Sequence, residues 1–331
     1  MTSEREYRVA ERLGLATTVL LYGLLVIGSV VRTTGSGLAC PDWPLCEGRL
    51  IPRLEPHVLI EWTHRLVALL VSLMLAATAA WIGFAPAARR RLGGLAALAV
   101  LLLLAQVLLG ALTVWKLLSP AVVSSHLAVA LLLLVTLLTL TLVARSSTAA
   151  GAVAAPGLAA ALAPDAGGAR AGAAPSRRLP LLGLAAALAY LQCLLGGLVS
   201  TTHAGLACPE WPTCNGEWFP PLAGAVGLQM THRYGAYLLT AVMLGVATST
   251  RRAPDPGVRA AGAMAATLTL LQVALGVATV MLGVPWWLSA LHLANAAALV
   301  ALLVAATCRE ALGATEPVAA TAPPRLAGAA S

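Results

Sequence analysis

Residues 37–46 read GLACPDWPLC, and residues 205–214 read GLACPEWPTC. The two stretches lie 168 positions apart and differ only at Asp42/Glu210 and Leu45/Thr213. The same offset carries Thr33-Thr34 onto Thr201-Thr202, and Thr63-His64-Arg65 onto Thr231-His232-Arg233. Further along, an offset of 166 carries Gln106 onto Gln272, Gly110 onto Gly276, Thr113 onto Thr279 and His126 onto His292. Cysteine, tryptophan and histidine are rare residue types, and their return in register marks an internal duplication.

What is duplicated is apolar. Of 331 residues, 59% are hydrophobic and 10% charged, against about 25% charged in soluble domains. Spans of about 20 apolar residues cross a bilayer, and without water their backbones must be helical. Eight segments qualify: 13–31, 61–84, 92–115, 121–144, 179–200, 228–248, 258–282 and 286–308. The expected fold is an all-α membrane protein of eight transmembrane helices, arranged as two tandem four-helix bundles related by the repeat. The first span is too long for a signal-peptide core and lacks a clear cleavage site, so it is read as retained. Residues 1–144 form one half and 179–310 the other. The Ala/Gly/Pro/Ser-rich stretch 145–178 reads as a flexible cytoplasmic linker, and 311–331 as a disordered tail.

The net charge of +8 does not point to nucleic acid, because the basic residues sit in short loops. With the N-terminus inside, the inner segments hold 15 arginines, while the outer loops hold only Arg32, Arg49, Arg53 and Lys116. This asymmetry places both termini in the cytoplasm.

Four of the six histidines obey the repeat. His64 and His232 lie near the start of the second helix of each half, and His126 and His292 near the start of the fourth. Both helices begin on the outer side, so each pair lies at matched depth. A lone intramembrane histidine usually makes an inter-helix hydrogen bond. Duplicated pairs on facing helices instead suit axial ligation of haem iron in a bundle interior. A zinc site would lack a third matched ligand, and no Cys-x-x-Cys-His motif signals covalent haem. His57 and His203 stand opposite Ala225 and Gly35 in the repeat and read as loop histidines, with His203 able to line a site.

Glu61 is the only acid at the start of an apolar helix beside a candidate ligand, three residues before His64. Its counterpart is Gln229. A first-turn carboxylate is explained by the helix dipole, and a catalytic role explains it equally. Cys40 with Cys46, and Cys208 with Cys214, lie in outer loops of an oxidising compartment. Each pair is expected to form a disulfide, either a staple over the site or a redox-active pair. Cys193 and Cys308 read as packing residues. Arg65 and Arg233 suit haem propionates, though snorkelling to the interface accounts for them as well.

At these residues the chain resembles the haem A synthase family of bacteria and mitochondria. The resemblance covers all eight expected helices. It is carried by Glu61-Trp62-Thr63-His64-Arg65, His126, the loop 37–46 with its cysteines, Thr231-His232-Arg233 and His292. It implies a multi-pass protein of the bacterial inner membrane that oxidises the C8 methyl of haem O to a formyl group by successive hydroxylations. His64 and His126 would hold the substrate haem O, and His232 and His292 a permanent haem b cofactor. Glu61 matches the family's essential acid and Cys40–Cys46 its outer-loop pair. Some members lack the second cysteine pair, so its presence here weakens any role unique to the first. The implied partners are haem O synthase, an electron-transfer partner, membrane lipid and a possible second copy of the chain. From the histidines alone, a di-haem b-type electron-transfer protein and a haem transporter or chaperone stay open. Neither accounts for the Glu61/Gln229 difference.

Overall fold

The computed structural model describes residues 2–149 and 176–313. Residues 145–149 of the expected linker and 311–313 of the expected tail are helical instead, as continuations of the helices before them, and most of the rest of both stretches lies outside these residues. Among them are eight long α-helices: α1 (Ser3–Thr33), α2 (Pro56–Phe84), α3 (Pro86–Trp115), α4 (Pro120–Ala149), α5 (Arg178–Thr201), α6 (Gly224–Thr250), α7 (Pro256–Met281) and α8 (Trp286–Gly313). No strand occurs among the described residues, only isolated bridges at Cys46–Arg49 and Cys214–Glu217.

The helices start where backbone chemistry allows. Pro56, Pro86, Pro120 and Pro256 each open a helix, at the position where a missing N–H costs nothing. Asp255 caps α7 by accepting from Gly257 N at 2.6 Å. The buried Glu6 caps α3 from a distance, accepting from Ala87 N at 2.8 Å and Ala88 N at 3.3 Å.

Two expectations need correcting. Seven of the eight described helices, not eight, are long and apolar enough to cross a membrane. The eighth, α6, is long enough but carries Gln229, His232, Arg233, Tyr234 and Tyr237, so the polar residues of the site dilute its hydropathy. Helix α2 also begins at Pro56 rather than near 61. Glu61 therefore lies in the second turn, where the dipole of a first-turn carboxylate no longer explains it.

In packing, α1 lies against α2, α3 and α4, with α2 on α3 and α3 on α4. Likewise α5 contacts α6 and α8, and α7 contacts α6 and α8. The two groups meet where α1 and α4 touch α8 and where α4 touches α5. Leu131, Leu133, Leu134 and Leu137 of α4 form the middle of the core with Leu299 and Leu303 of α8. Among the hydrogen bonds that cross between the groups, two are related by the repeat. Tyr22 Oη donates to Ala294 O at 2.9 Å, and Tyr190 Oη to Ala128 O at 3.3 Å. Donors and acceptors are related by the same offsets of 168 and 166 that relate the sequences.

Candidate functional site

His64 lies eight residues into α2 and His232 eight into α6; His126 and His292 each lie six residues into α4 and α8. At about 1.5 Å per residue these depths are roughly 12 and 9 Å from the helix starts. All four rings line one cavity of about 1250 Å³. Small-ligand pockets occupy about 300–1,000 Å³, so this one exceeds the usual range.

Each ring has a glycine beside it on a neighbouring helix. A Cβ at Gly28 would stand 3.2 Å from His64 Cε1, and at Gly110 3.4 Å from His126 Cε1. At Gly196 and Gly276 it would stand 3.0 Å from His232 Cε1 and His292 Cε1. A Cβ at Gly28, Gly196 or Gly276 would press on its ring, while at Gly110 it would just touch it.

The fit to haem can be tested on these residues. The centroids of His232 and His292 are 6.5 Å apart, with the planes at 74°. Two metal–imidazole bonds of about 2 Å, with half a ring beyond each, span about 6.4 Å. No cluster of three or more His, Cys, Asp or Glu suited to a metal occurs among the described residues. Two imidazoles suffice for an iron whose macrocycle supplies four nitrogens. The residues fit.

Glu61 is 4% exposed and lines the cavity. Its Oε2 accepts from Cys40 N at 2.8 Å and its Oε1 from Arg65 Nη2 at 2.5 Å. Arg65 also donates to the carbonyls of Cys40, Asp42 and Leu45. Glu61 and Arg65 thus clamp the first cysteine loop over the cavity. In the second half Arg233 donates to the carbonyls of Cys208 and Thr213. Gln229, in place of the carboxylate, leaves its buried Oε1 without a partner.

Both loops are closed by disulfides, Cys40–Cys46 and Cys208–Cys214. Inside the first, Asp42 accepts from Gly48 N at 2.7 Å and Glu47 N at 2.6 Å. These amides, that of Gly48 foremost, hold its carboxyl below the ordinary aspartate range. Cys193 and Cys308 are free and buried. His57 Nδ1 lies 2.9 Å from Ser36 Oγ, away from the other histidines. His203 lines the cavity and has a left-handed backbone, φ 56°, where its counterpart Gly35 has φ 70°.

The cytochrome oxidase assembly protein family COX15-CtaA matches residues 11–304. This chain belongs to that family. Among its relatives, a protein of Symbiobacterium thermophilum named heme A synthase is 32% identical over 79% of this chain and 82% of its own length. Those of Methylobacterium sp. (strain 4-46) and Methylorubrum populi, with the same name, are 32% and 31% identical. They cover 86% and 97% of this chain, and 88% and 91% of their own lengths. With seven helices apolar enough to span, this family member is a multi-pass membrane protein.

For this family member the geometry adds residues that no motif singles out. Gln106 and Gln272 are visible in the sequence only as repeat positions, yet each reaches the histidine twenty residues on, at 3.2 Å. Gly28 and Gly196 obey the 168 offset, so a residue-by-residue comparison of the halves finds them. Arg32 is, along the chain, one more loop charge. It lines the cavity and donates to Ser200 O at 2.9 Å, and no carboxylate pairs with it among the described residues. No sequence pattern distinguishes it from the other outer arginines.

Proposed function

We propose that this chain is a haem A synthase, a membrane oxidoreductase that converts the C8 methyl of haem O to a formyl group. The observation that carries this reading is a single cavity lined by two histidine pairs, only one of which has a carboxylate beside it. An electron carrier or a haem transporter would have no use for that difference. His64 and His126 would hold the substrate haem O. His232 and His292 would hold haem b, which supplies a redox centre when bound.

Glu61 is the residue we assign to the chemistry. A fixed anion beside a methyl group that loses electrons stabilises the positive charge developing there. Arg65 and the amide of Cys40 hold that anion in place. Arg65, Arg233 and Arg32 together set a positive field suited to propionates. The Nη groups of Arg65 and Arg233 are engaged by loop carbonyls and contribute mainly charge. Arg32 has donors to spare for direct contact.

The reading extends to architecture. Two four-helix halves packed about a pseudo-two-fold axis account for the reciprocal Tyr22 and Tyr190 bonds. An arginine-rich inner side puts both termini in the cytoplasm of a bacterial cell. Haem O synthase would supply the substrate, and an electron-transfer partner would serve the four-electron oxidation of methyl to formyl.

The test is pigment extraction after coexpression with haem O synthase, with porphyrins identified by mass spectrometry. Haem A and its hydroxylated precursor are expected. Recovery of unchanged haem O and haem b alone would overturn the enzymatic reading in favour of carriage or transport.

A further inference from the structure

The two histidine pairs differ in what holds them. In the second pair, Gln192 Nε2 lies 3.0 Å from His232 Nδ1 and donates to His232 O at 2.7 Å. Gln272 Nε2 lies 3.2 Å from both ring nitrogens of His292, and Asn295 Nδ2 donates to Gln272 Oε1 at 2.7 Å. In the first pair the equivalent atoms, His64 Nδ1, Gln106 Oε1 and His126 Nδ1, are buried without a hydrogen-bond partner. One half satisfies each atom that the other leaves bare.

The repeat offsets give the reason. Gln192 corresponds to Leu24 and Asn295 to Val129, so the first pair lacks both amides. Space is arranged to match. A Cβ at Gly235 would meet Gln192 Oε1 at 2.2 Å, so only glycine lets the carboxamide lie across His232. Its counterpart is Val67, which packs against the apolar core as Leu24 does. The polar pair Gln192/Gly235 has thus been exchanged as a unit for the apolar pair Leu24/Val67.

We infer that Gln192, Gly235 and Asn295 form a positioning set that makes the second histidine pair a retentive haem site. Leu24, Val67 and Val129 leave the first pair loosely oriented, so that its haem can enter as substrate and leave as product. This rests on the haem reading above. With iron on one ring nitrogen the other keeps its proton and needs an acceptor, which the Gln192 carboxamide would supply through its oxygen. Contacts that orient a ligating histidine are worth about 10–100-fold in metal affinity, and differences of this kind fall mainly on the dissociation rate. A cofactor that stays and a substrate that turns over require such a difference between otherwise duplicated sites.

The experiment uses the full-length protein purified with its haems and follows haem transfer to apomyoglobin. Gln192→Leu, Asn295→Val and Gly235→Ala should each speed loss of haem b by about 10–100-fold and shift its low-spin EPR signal. Gly235→Ala removes no polar group and only displaces a flexible carboxamide, so it guards against a folding artefact. The triple change Leu24→Gln, Val67→Gly, Val129→Asn should slow release of haem from the first site by a similar factor. Parent-like haem b release in both Gln192→Leu and Gly235→Ala would overturn the inference. His232→Ala serves as the control on the underlying reading. If it keeps the haem b spectrum, the ligand assignment itself is wrong. If it loses haem b while the Gln192 and Gly235 variants do not, only the positioning role fails.

Discussion

Glu61 is the residue on which the two halves diverge most sharply. Its carboxylate is buried, paired with Arg65 and bonded to Cys40 N. Glu61→Gln copies the second half, where Gln229 and Arg233 occupy the same positions. The clamp would lose one charge-assisted hydrogen bond, about 1.5–3 kcal/mol, while Arg65 keeps its three carbonyl acceptors. Haem b content should therefore be retained. Removal of transition-state electrostatics should lower haem A yield by about 10²–10³-fold. Haem A yield near the parent's would refute a chemical role for Glu61, and loss of bound haem O with haem b retained would make it a binding residue. Arg32 gives a second prediction at this scale. If its guanidinium meets a propionate, Arg32→Gln should reduce the preference for haem O over its dimethyl ester by about tenfold or more, the worth of a charged hydrogen bond of about 1.5–3 kcal/mol. Equal preference in parent and variant would remove Arg32 from the site.

At the scale of elements, the disulfide loops are built as lids. In the first, Arg65 and Glu61 tie the loop to α2 from below, and Asp42 closes the turn from within. The turn between α3 and α4 packs against it, since a Cβ at Gly37 would stand 3.2 Å from Leu118. Because Asp42 is depressed in the folded loop, its contribution is complete above the ordinary aspartate value of about 3.9. It is lost only as pH falls through the lower folded value. Amide exchange at Glu47 and Gly48 should accordingly keep its protection down to about pH 4, and Asp42→Ala should abolish that protection at pH 7. Unchanged exchange in the variant would show that the disulfide alone shapes the turn. Both loops are stapled in the same way, so the disulfide by itself does not distinguish the half that carries Glu61.

Across the whole molecule, the two halves differ at the site by a few substitutions between copies of one design. Both halves keep the histidine pair, the glycine cradles, the glutamine beside the fourth-helix histidine and the clamped loop. One half adds a carboxylate and loses two amides; the other does the reverse. Both pairs open onto one cavity, so groups held by the first and the second pair would share that space. A di-haem carrier spanning the bilayer would set its ligands at opposite depths instead.

Membrane class, helices, duplication and the two histidine pairs can all be read along the chain. Those features are local or periodic. Apolar runs must be helical in lipid, and a histidine inside such a run is costly enough to be conspicuous. The Glu61/Gln229 exchange is legible for the same reason, once the halves are laid in register. The helix start at Pro56 is not, because the chain there is amphipathic and hydropathy registers only the membrane-buried part. Which side chains meet is settled in three dimensions alone. Gln192 and His232 are forty residues apart on different helices, and Gly235 matters only because the carboxamide passes over it. Arg32 lines the cavity and reaches Ser200 O, 168 residues away on α5. Such contacts depend on helix rotation and close packing, which no spacing along a single chain encodes.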